Sequence, residues 1–209
     1  MNNKVVLIGL GGHAKVILAM AKEKKISIDA IATRDFNPEK EFCGIPLISD
    51  EELTKYPIEN TSLINGIGAI PNQSNHKEIF LSFRSLGFSF LTLISDHAWV
   101  DESVTLKEGS IVMAGAIVQA STVIAENVIV NTGAIIDHDC YIGSHTHICP
   151  GVTVCGGVSI SENVFIGAGS VIIPNLEIGS DSMIAAGCTI YKSVSDWSKI
   201  VSTASMRIM

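Results

Sequence analysis

Aliphatic residues recur at every sixth position through the C-terminal half of the chain. The series contains only Ile, Leu and Val: Ile94, Val100, Leu106, Val112, Val118, Ile124, Val130, Ile136, Ile142, Ile148, Val154, Ile160, Ile166, Ile172, Ile178, Ile184 and Ile190. A second series, two residues earlier, is mostly small or aliphatic: Val104, Ala116, Val128, Ala134, Cys140, Val152 and Val164. Because residues two apart in a strand share a face, both series are predicted to point inward.

A period of six requires a turn after each short strand. Glycine or polar residues follow the aliphatic series at Asn131, Asp137, Gly143, Gly167 and Gly179, where we expect the chain to turn. The pattern predicts a parallel β-helix of hexapeptide repeats with three strands in each coil. A helical bundle is excluded, because its apolar positions would be spaced by about 3.6 residues.

The residues before Ile94 follow a different pattern. Apolar runs predict strands at residues 4–8, 28–32, 62–67 and 88–93, and helical periodicity predicts helices at 14–24, 50–56 and 75–86. Alternating strands and helices predict a small parallel α/β domain, equivalent to half of a doubly wound fold. We therefore divide the chain into a Rossmann-like domain at 1–93 and a β-helix domain at 94–209.

A glycine turn, residues 9–14 (GLGGHA), joins the first strand to the first helix. Glycines at this point let the backbone approach a phosphate, and the helix start supplies amide donors. Asp35, after the second strand, is the acidic residue that a nicotinamide cofactor would need, but the chain has no second half-domain. A single nucleotide diphosphate therefore fits better than NAD. The alternative to a phosphate site is that the glycines only form a tight turn between strand and helix. The alternative to a His13 that donates to phosphate is a histidine that is simply exposed to solvent.

Composition narrows the class of protein further. Of 209 residues, 47% are hydrophobic and only 17% are charged, which excludes a disordered chain and a long charged coiled coil. The net charge of −7 argues against a nucleic-acid binder. We expect no membrane span and no secretory signal, because the apolar stretches are too short. The five cysteines include no C-x-x-C pair and favour a reduced, cytoplasmic location.

The sequence Asp137-His138-Asp139 directly follows a ladder residue, so it is predicted to form an outward-facing corner. A carboxylate beside a histidine fixes its tautomer and raises its basicity, as a general base requires. The alternative is an ordinary polar corner. His145 and His147 lack a third ligand nearby, so we expect no metal site.

Cysteine positions give no clear nucleophile. Cys140 occupies an inward position and is predicted to be a core residue, whereas Cys149 and Cys155 are predicted at corners.

Four segments together resemble a known family: residues 9–15 (GLGGHAK), 112–115 (VMAG), 131–140 (NTGAIIDHDC) and 165–169 (FIGAG). They are similar to the sialic acid O-acetyltransferase family of sugar acyltransferases. Within it they most resemble the acetyl-CoA-dependent N-acetyltransferases of nucleotide-linked 4-amino-4,6-dideoxy sugars. The resemblance extends over nearly the whole chain and implies a left-handed β-helix.

The resemblance also implies roles for individual residues. The general base would be His138, oriented by Asp139. The acetyl-CoA site would include Asn131, His147, the amide of Gly156, Ala168 and Ala186, and the nucleotide-sugar site would include Gly11, Gly12, His13 and Asp35. The family forms homotrimers in which each active site lies between two β-helices.

The chain departs from the family pattern in three places. Arg34-Asp35 replaces an acidic pair, which leaves uridine, thymidine and guanosine nucleotides open. His76-Lys77 stands where a basic residue is expected, and residues 202–206 replace a terminal G-x-P-A-K. Two other functions also stay open: O-acetylation of a sialic acid, and a non-catalytic partner that binds a nucleotide sugar.

Overall fold

The computed structural model describes residues 3–34, 36–37, 39, 41–69 and 75–201. Within these residues, the N-terminal part has six strands, which form one sheet, and three helices. The strands are β1 (Lys4–Ile8), β2 (Ala30–Ala32), β3 (Glu41–Phe42), β4 (Ile45–Ile48), β5 (Thr61–Asn65) and β6 (Ser89–Phe90). The helices are α1 (Gly12–Glu23), α2 (Asp50–Leu53) and α3 (Asn75–Ser85), with a 3₁₀ turn at Ile58–Asn60.

The N-terminal sheet has the strand order β3-β4-β2-β1-β5-β6. Its strands run parallel except β3, which forms an antiparallel hairpin with β4 that the sequence did not predict. The predicted strand at 88–93 is wrong as a single element. Its first part, β6, pairs with β5, whereas Leu93 pairs with Ile111 in the β-helix, because the chain passes from one sheet to the other between them.

The C-terminal part is a parallel β-helix built from two-residue strands, as the period of six predicted. In chain order they are β7 (Leu93–Ile94), β8 (Trp99–Val100), β9 (Thr105–Leu106), β10 (Ile111–Val112), β11 (Ile117–Val118), β12 (Val123–Ile124), β13 (Ile129–Val130), β14 (Ile135–Ile136), β15 (Tyr141–Ile142), β16 (His147–Ile148), β17 (Thr153–Val154), β18 (Ser159–Ile160), β19 (Phe165–Ile166), β20 (Val171–Ile172), β21 (Glu177–Ile178), β22 (Met183–Ile184), β23 (Thr189–Ile190) and β24 (Lys199–Ile200).

Up to β23, every third strand belongs to the same sheet, and β24 then joins the first sheet beside β22. The first sheet contains β7, β10, β13, β16, β19, β22 and β24, the second β8, β11, β14, β17, β20 and β23, and the third β9, β12, β15, β18 and β21. Ile136 pairs with Val154, so one coil has eighteen residues. The ladder positions from Val112 to Ile190 are buried in one continuous interior cluster, which confirms the inward series.

The turns between the sheets form three corners. The first corner follows the first sheet (residues 131–134 in one coil), the second corner follows the second sheet (137–140), and the third corner follows the third sheet (143–146). The third residue of most turns has a positive φ, as in Gly133, Asp139 and His145. Glycine and short polar residues tolerate this conformation best, so they are frequent there.

The glycines directly after the ladder positions have a different reason from the predicted one. Gly143, Gly167 and Gly179 are not among the residues with positive φ. A Cβ atom at Gly143 would collide with the backbone of Ser161 on the next coil, and Gly167 and Gly179 meet the same obstacle. Close approach between coils, and not the turn itself, therefore requires glycine at these three positions.

The two parts of the chain share a hydrophobic cluster. Ala14 and Ile17 of α1 lie in the same buried cluster as Ile111 and Ile129, which project outward from the first sheet. The N-terminal domain therefore covers the first sheet near its start.

A buried polar network lies beside this cluster. Asn65 Nδ2 donates to Asn127 Oδ1 at 3.0 Å, and a ring nitrogen of His76 lies 2.9 Å from the Asn127 carbonyl oxygen. Asn127 Nδ2 also lies 3.0 Å from Nδ1 of His145. Because burial makes these groups dependent on each other for hydrogen bonds, the network fixes the N-terminal domain against the third corner.

No helix among the described residues is long and apolar enough to cross a membrane.

Asn127→Ala should lower the free energy of unfolding more than Asn163→Ala. Both asparagines have a φ of 55°, so the backbone penalty is the same. The Asn163 side chain donates to the partly buried Asp181, whereas loss of the Asn127 side chain removes hydrogen bonds to buried groups of Asn65, His76 and His145. We expect an additional loss of about 1–3 kcal/mol, measured by denaturant unfolding. Equal losses would contradict a structural role for the network.

Candidate active site

A cleft opens at the carboxyl ends of the N-terminal strands, where α1 begins. Its volume is about 400 Å³, and its lining includes Gly9, Gly11, Arg34, Asp50 and Asn75. Gly11 is the N-cap of α1 and no side chain caps the helix, so its first amides are available to a ligand. A Cβ atom at Gly11 or Gly12 would have no neighbour within 4 Å. The cleft therefore offers open space and donors suited to a phosphate.

Asp50 lines the cleft, although the sequence pattern predicted it only as the start of a helix. Its Oδ1 is buried and receives no hydrogen bond from the described residues. Burial raises the pKa of the Asp50 carboxyl, although Arg34, with Nε 3.7 Å from Oδ2, acts in the opposite direction. The sequence does contain a signal for this role: Asp50 is an acidic residue just after β4, and the carboxyl ends of parallel strands form the ligand-binding edge of such a sheet. Asp35, predicted for this cleft, lies outside the described residues.

His13 lies at the start of α1 but is mostly buried. Burial lowers its pKa to about 3, so the ring is neutral at physiological pH. Its Nε2 has no hydrogen-bond partner among the described residues, and its Cβ lies close to Gly68. His13 is therefore a neutral ring with an unused polar atom and not a cation that would attract phosphate.

His138 occupies the second corner, as predicted, and its side chain is exposed. Its Nδ1 lies 2.7 Å from Oδ2 of Asp139, and its backbone amide donates to Asp137 Oδ1 at 2.8 Å. The Asp139 hydrogen bond and then the Asp137 charge raise the pKa of the His138 imidazole. With Nδ1–H donated to Asp139, Nε2 of the neutral ring carries the lone pair and is able to accept a proton.

Gly156 lies directly beside this ring on the next coil. The amide of Gly157 donates to the His138 carbonyl oxygen at 2.9 Å, which stacks the two corners. A Cβ atom at Gly156 would lie 2.7 Å from both Nε2 and Cε1 of His138. The His138 imidazole therefore packs directly against Gly156, and a side chain at position 156 would overlap with the ring.

Asn131 and His147 form a separate pair on the first sheet and first corner. Asn131 Nδ2 lies 3.0 Å from His147 Nε2, and His147 Nδ1 lies 3.1 Å from the Ala69 carbonyl oxygen. Donation from Nδ1 to Ala69 leaves Nε2 to accept from Asn131. Burial lowers the pKa of His147 to about 4, so the ring is neutral and unsuited to act as an acid at neutral pH.

Ala168 and Ala186 lie farther along the first corner. Both are exposed, and the amide of Gly187 donates to the Ala168 carbonyl oxygen at 2.9 Å, so they stack on successive coils. Small residues there leave a shallow surface on which the flexible arm of a coenzyme fits.

The predicted site residues therefore occupy three surfaces of one chain. His147, through Ala69, links the first corner to the N-terminal domain that holds the cleft. His138, Asp139 and Gly156 lie on the second corner, on the far side of the intervening strand β14. A single chain does not bring His138 and the first corner onto one surface.

Cys140 and Cys149 are both buried thiols. Cys140 is buried, its Sγ donates to the Cys155 carbonyl oxygen at 3.2 Å, and burial raises its thiol pKa. Cys149, predicted at a corner, instead packs in the interior, where burial raises its pKa to about 12. The described residues contain no group of three side chains placed to hold a metal ion.

Family models match both parts of the chain. The model described as the PglD N-terminal domain matches residues 4–81, and the model of the bacterial transferase hexapeptide matches residues 157–192. No match was found among curated proteins.

Solved structures match the chain over most of its length. PerB from Caulobacter crescentus, solved with CoA and GDP-perosamine, is 34% identical over 92% of this chain and 91% of its own, with a TM-score of 0.84. The acetyltransferase domain of PglB from Neisseria gonorrhoeae, solved with acetyl coenzyme A, is 32% identical over 95% and 96%, with a TM-score of 0.84. The chain belongs to this family of sugar N-acetyltransferases. The predicted resemblance and fold class are thereby confirmed.

A more distant structure shares the fold. WeeI from Acinetobacter baumannii is 20% identical, covers 96% of this chain and 97% of its own, and has a TM-score of 0.85.

Asp139→Asn should lower the pKa of His138, because it replaces the charged acceptor of the Nδ1 hydrogen bond. Asp137→Asn is the matched control: Asp137 acts on the ring only through its charge, so the shift should be smaller. Titration of the imidazole by NMR measures both variants. An unchanged pKa in Asp139→Asn would show that the two side chains are not paired in solution.

Proposed function

We propose that this protein transfers an acetyl group from acetyl-CoA to the C4 amine of a nucleotide-linked 4-amino-4,6-dideoxy sugar. The observation that carries the proposal is the His138–Asp139 pair, 2.7 Å apart and exposed beside Gly156 on the β-helix. A phosphate-compatible cleft on the same chain supplies a place for a sugar nucleotide. Similarity to PerB, which was solved with CoA and GDP-perosamine, supports this substrate class.

In the proposed reaction the sugar amine attacks the thioester carbonyl carbon. A C–N bond forms, the C–S bond breaks, and coenzyme A leaves as the thiol. His138 Nε2 takes the proton from the attacking nitrogen and returns it to sulfur, while Asp139 stabilises the imidazolium. The backbone amide of Gly156 is proposed to donate to the developing oxyanion. No acyl-enzyme is needed.

The N-terminal cleft is proposed to hold the nucleotide. Amides at Gly11 and Gly12 would bind the diphosphate, with Asp35 and His13 near the nucleoside or sugar. His13, being neutral, would contribute a hydrogen bond and not a charge. The reaction would take place in the cytoplasm, where acetyl-CoA and nucleotide sugars are both available.

A homotrimer would complete the site. The start of the first sheet is covered by the N-terminal domain, whereas Trp99 and Ile135 on the second sheet and Tyr141 on the third are exposed. These apolar outward residues are suited to packing against another copy of the chain. In such an assembly, the second corner of one subunit would meet the cleft and first corner of its neighbour.

Assays with acetyl-CoA and a panel of UDP-, dTDP- and GDP-linked 4-amino sugars test the proposed reaction through thiol release. We expect turnover with at least one of them and loss of at least roughly 10²-fold in kcat for His138→Ala. Turnover only with a sialic acid would favour O-acetylation. Absence of turnover, with binding of the sugar nucleotide retained, would favour a non-catalytic partner.

Gly156→Ala should reduce kcat by roughly 10²-fold, because the new Cβ displaces the His138 ring from its position beside the reacting atoms. The overall fold should be retained, since Gly156 does not have a positive φ. In the background of His138→Ala, the same change should cost much less, because no ring remains to be displaced. Equal losses in both backgrounds would contradict this account.

Mixing two inactive variants tests the shared site. In Gly11→Val, the new side chain fits without a clash in the protein but occupies space in the cleft where the phosphate is proposed to bind. His138→Ala removes the proposed base. In trimers that contain both variants, some sites combine the intact His138 of one chain with the intact cleft of its neighbour. Random mixing in equal amounts forms such sites in roughly a quarter of cases, so we expect roughly a quarter of wild-type activity. Sedimentation should give three times 22.2 kDa. Formation of mixed trimers without recovered activity would place the whole site within one chain.

A further inference from the structure

Three neighbouring strands of the N-terminal sheet place Gly11, Arg34 and Asp50 along one wall of the cleft. All three residues line the cleft, and they follow β1, β2 and β4 respectively. These strands are adjacent in the order β4-β2-β1 and are paired in register. With neighbouring strands about 4.8 Å apart, the turn after β4 lies about 10 Å from the turn after β1. A nucleotide spans this distance, because roughly six bonds of about 1.5 Å join its phosphorus to the base, which extends farther.

The direction of a sugar nucleotide in this cleft follows from what lies on each side of β1. On the β5 side, the loop after β5 reaches the first corner of the β-helix, where the Ala69 carbonyl oxygen lies 3.1 Å from Nδ1 of His147. The sugar amine has to point to this side, because the acetyl donor is proposed to bind the β-helix. With the diphosphate at the start of α1, the base therefore lies on the opposite side, toward Arg34 and Asp50.

Space for a large base continues beyond this wall. A second cavity of about 440 Å³ lies between α2 and α3 and extends to Phe83. Arg34, Asp50 and Ile79 line both this cavity and the cleft. A purine, the larger class of base, therefore has room beside Arg34 and Asp50.

The side chains of Arg34 and Asp50 place hydrogen-bond donors next to an acceptor. Arg34 Nε lies 3.7 Å from Asp50 Oδ2, which is too long for a hydrogen bond. The guanidinium and Oδ2 therefore both keep bonding capacity for a ligand. Because Oδ1 of Asp50 is buried, Oδ2 is the carboxylate oxygen open to the cleft.

Guanine presents the complementary groups in the same order. Its N7 and O6 accept the two parallel hydrogen bonds that an arginine guanidinium donates, and the neighbouring N1–H is a donor. Adenine has an amino group in place of O6 and an acceptor at N1, so it opposes both side chains. Uracil and thymine have carbon in place of N7, so one guanidinium donor stays without an acceptor. Guanine is therefore the base that matches at all three positions.

We propose that Arg34 and Asp50 make the cleft selective for guanine nucleotides, with Arg34 donating to N7 and O6 and Asp50 accepting from N1–H. This inference rests on the proposed function, because it assumes a nucleotide-linked sugar with its diphosphate at the start of α1. It selects one of the three nucleotides that the sequence left open.

Titration calorimetry with nucleoside diphosphates tests this selectivity separately from acetyl transfer. The wild-type protein should bind GDP at least about tenfold more tightly than UDP, dTDP or ADP, the usual effect of one hydrogen bond to a charged group. IDP has N7, O6 and N1–H but lacks the amino group of guanine, so it should bind as tightly as GDP. Tighter binding of UDP or dTDP than of GDP, or binding of IDP as weak as that of ADP, would overturn the assignment.

Variants of the two side chains test their individual roles. Arg34→Met should weaken GDP binding about tenfold and ADP binding much less, because adenine offers only N7 to the guanidinium. Asp50→Asn should lower the ratio of GDP to ADP affinity, since the amide is able to donate to N1 of adenine. Equal weakening of GDP and ADP by Arg34→Met would show that Arg34 acts on the diphosphate and would overturn its proposed role.

Lys55→Met is the matched control. Lys55 is also an exposed cation near an acidic residue of α2, with Nζ 3.9 Å from Oε1 of Glu51, but it lines neither the cleft nor the second cavity. Its loss should leave the GDP to ADP ratio unchanged, and an equal fall of this ratio would assign the effect to net charge alone. Failure of the wild-type protein to bind any nucleoside diphosphate or nucleotide sugar would instead overturn the proposed function.

Discussion

The aliphatic interior of the β-helix depends on one geometric condition: the same position must return to the same wall of the coil after eighteen residues. Val112 pairs with Val130, and Val130 with Ile148, so apolar side chains stack on each other through the length of the domain. Burial of these ladders supplies the main driving force for the fold. Insertion of one residue within a strand would change which of its side chains face the interior.

The same register also aligns the outside of the β-helix. Each corner position is repeated on the next coil at the spacing of neighbouring strands. His138 can therefore rest against Gly156, although the two residues are far apart in sequence. A rigid scaffold of this kind holds the exposed His138 side chain in one place without a surrounding pocket, as its proposed role as a general base requires.

Burial gives the histidines of this protein different properties. His138 is exposed beside a carboxylate, which raises its pKa, whereas burial lowers the pKa of His13 and His147. Both buried rings are neutral. The His147 ring hydrogen-bonds to Asn131 and Ala69, whereas Nε2 of His13 has no partner among the described residues. His138 has a carboxylate oxygen of Asp139 2.7 Å from its Nδ1, whereas Nε2 of the exposed His97 lies 3.5 Å from a Glu23 oxygen. The proposed mechanism assigns the proton transfer to His138.

The sequence by itself determined the β-helix, the α/β domain, the inward ladders and the outward corner at His138, because these follow from the local periodicity of side chains. It could not determine that Asp50 lines the cleft, or that Gly143 is required by the next coil. Nor could it show that the base and the first corner lie on separate surfaces. Those features depend on which distant segments are stacked together, and only the tertiary structure decides that.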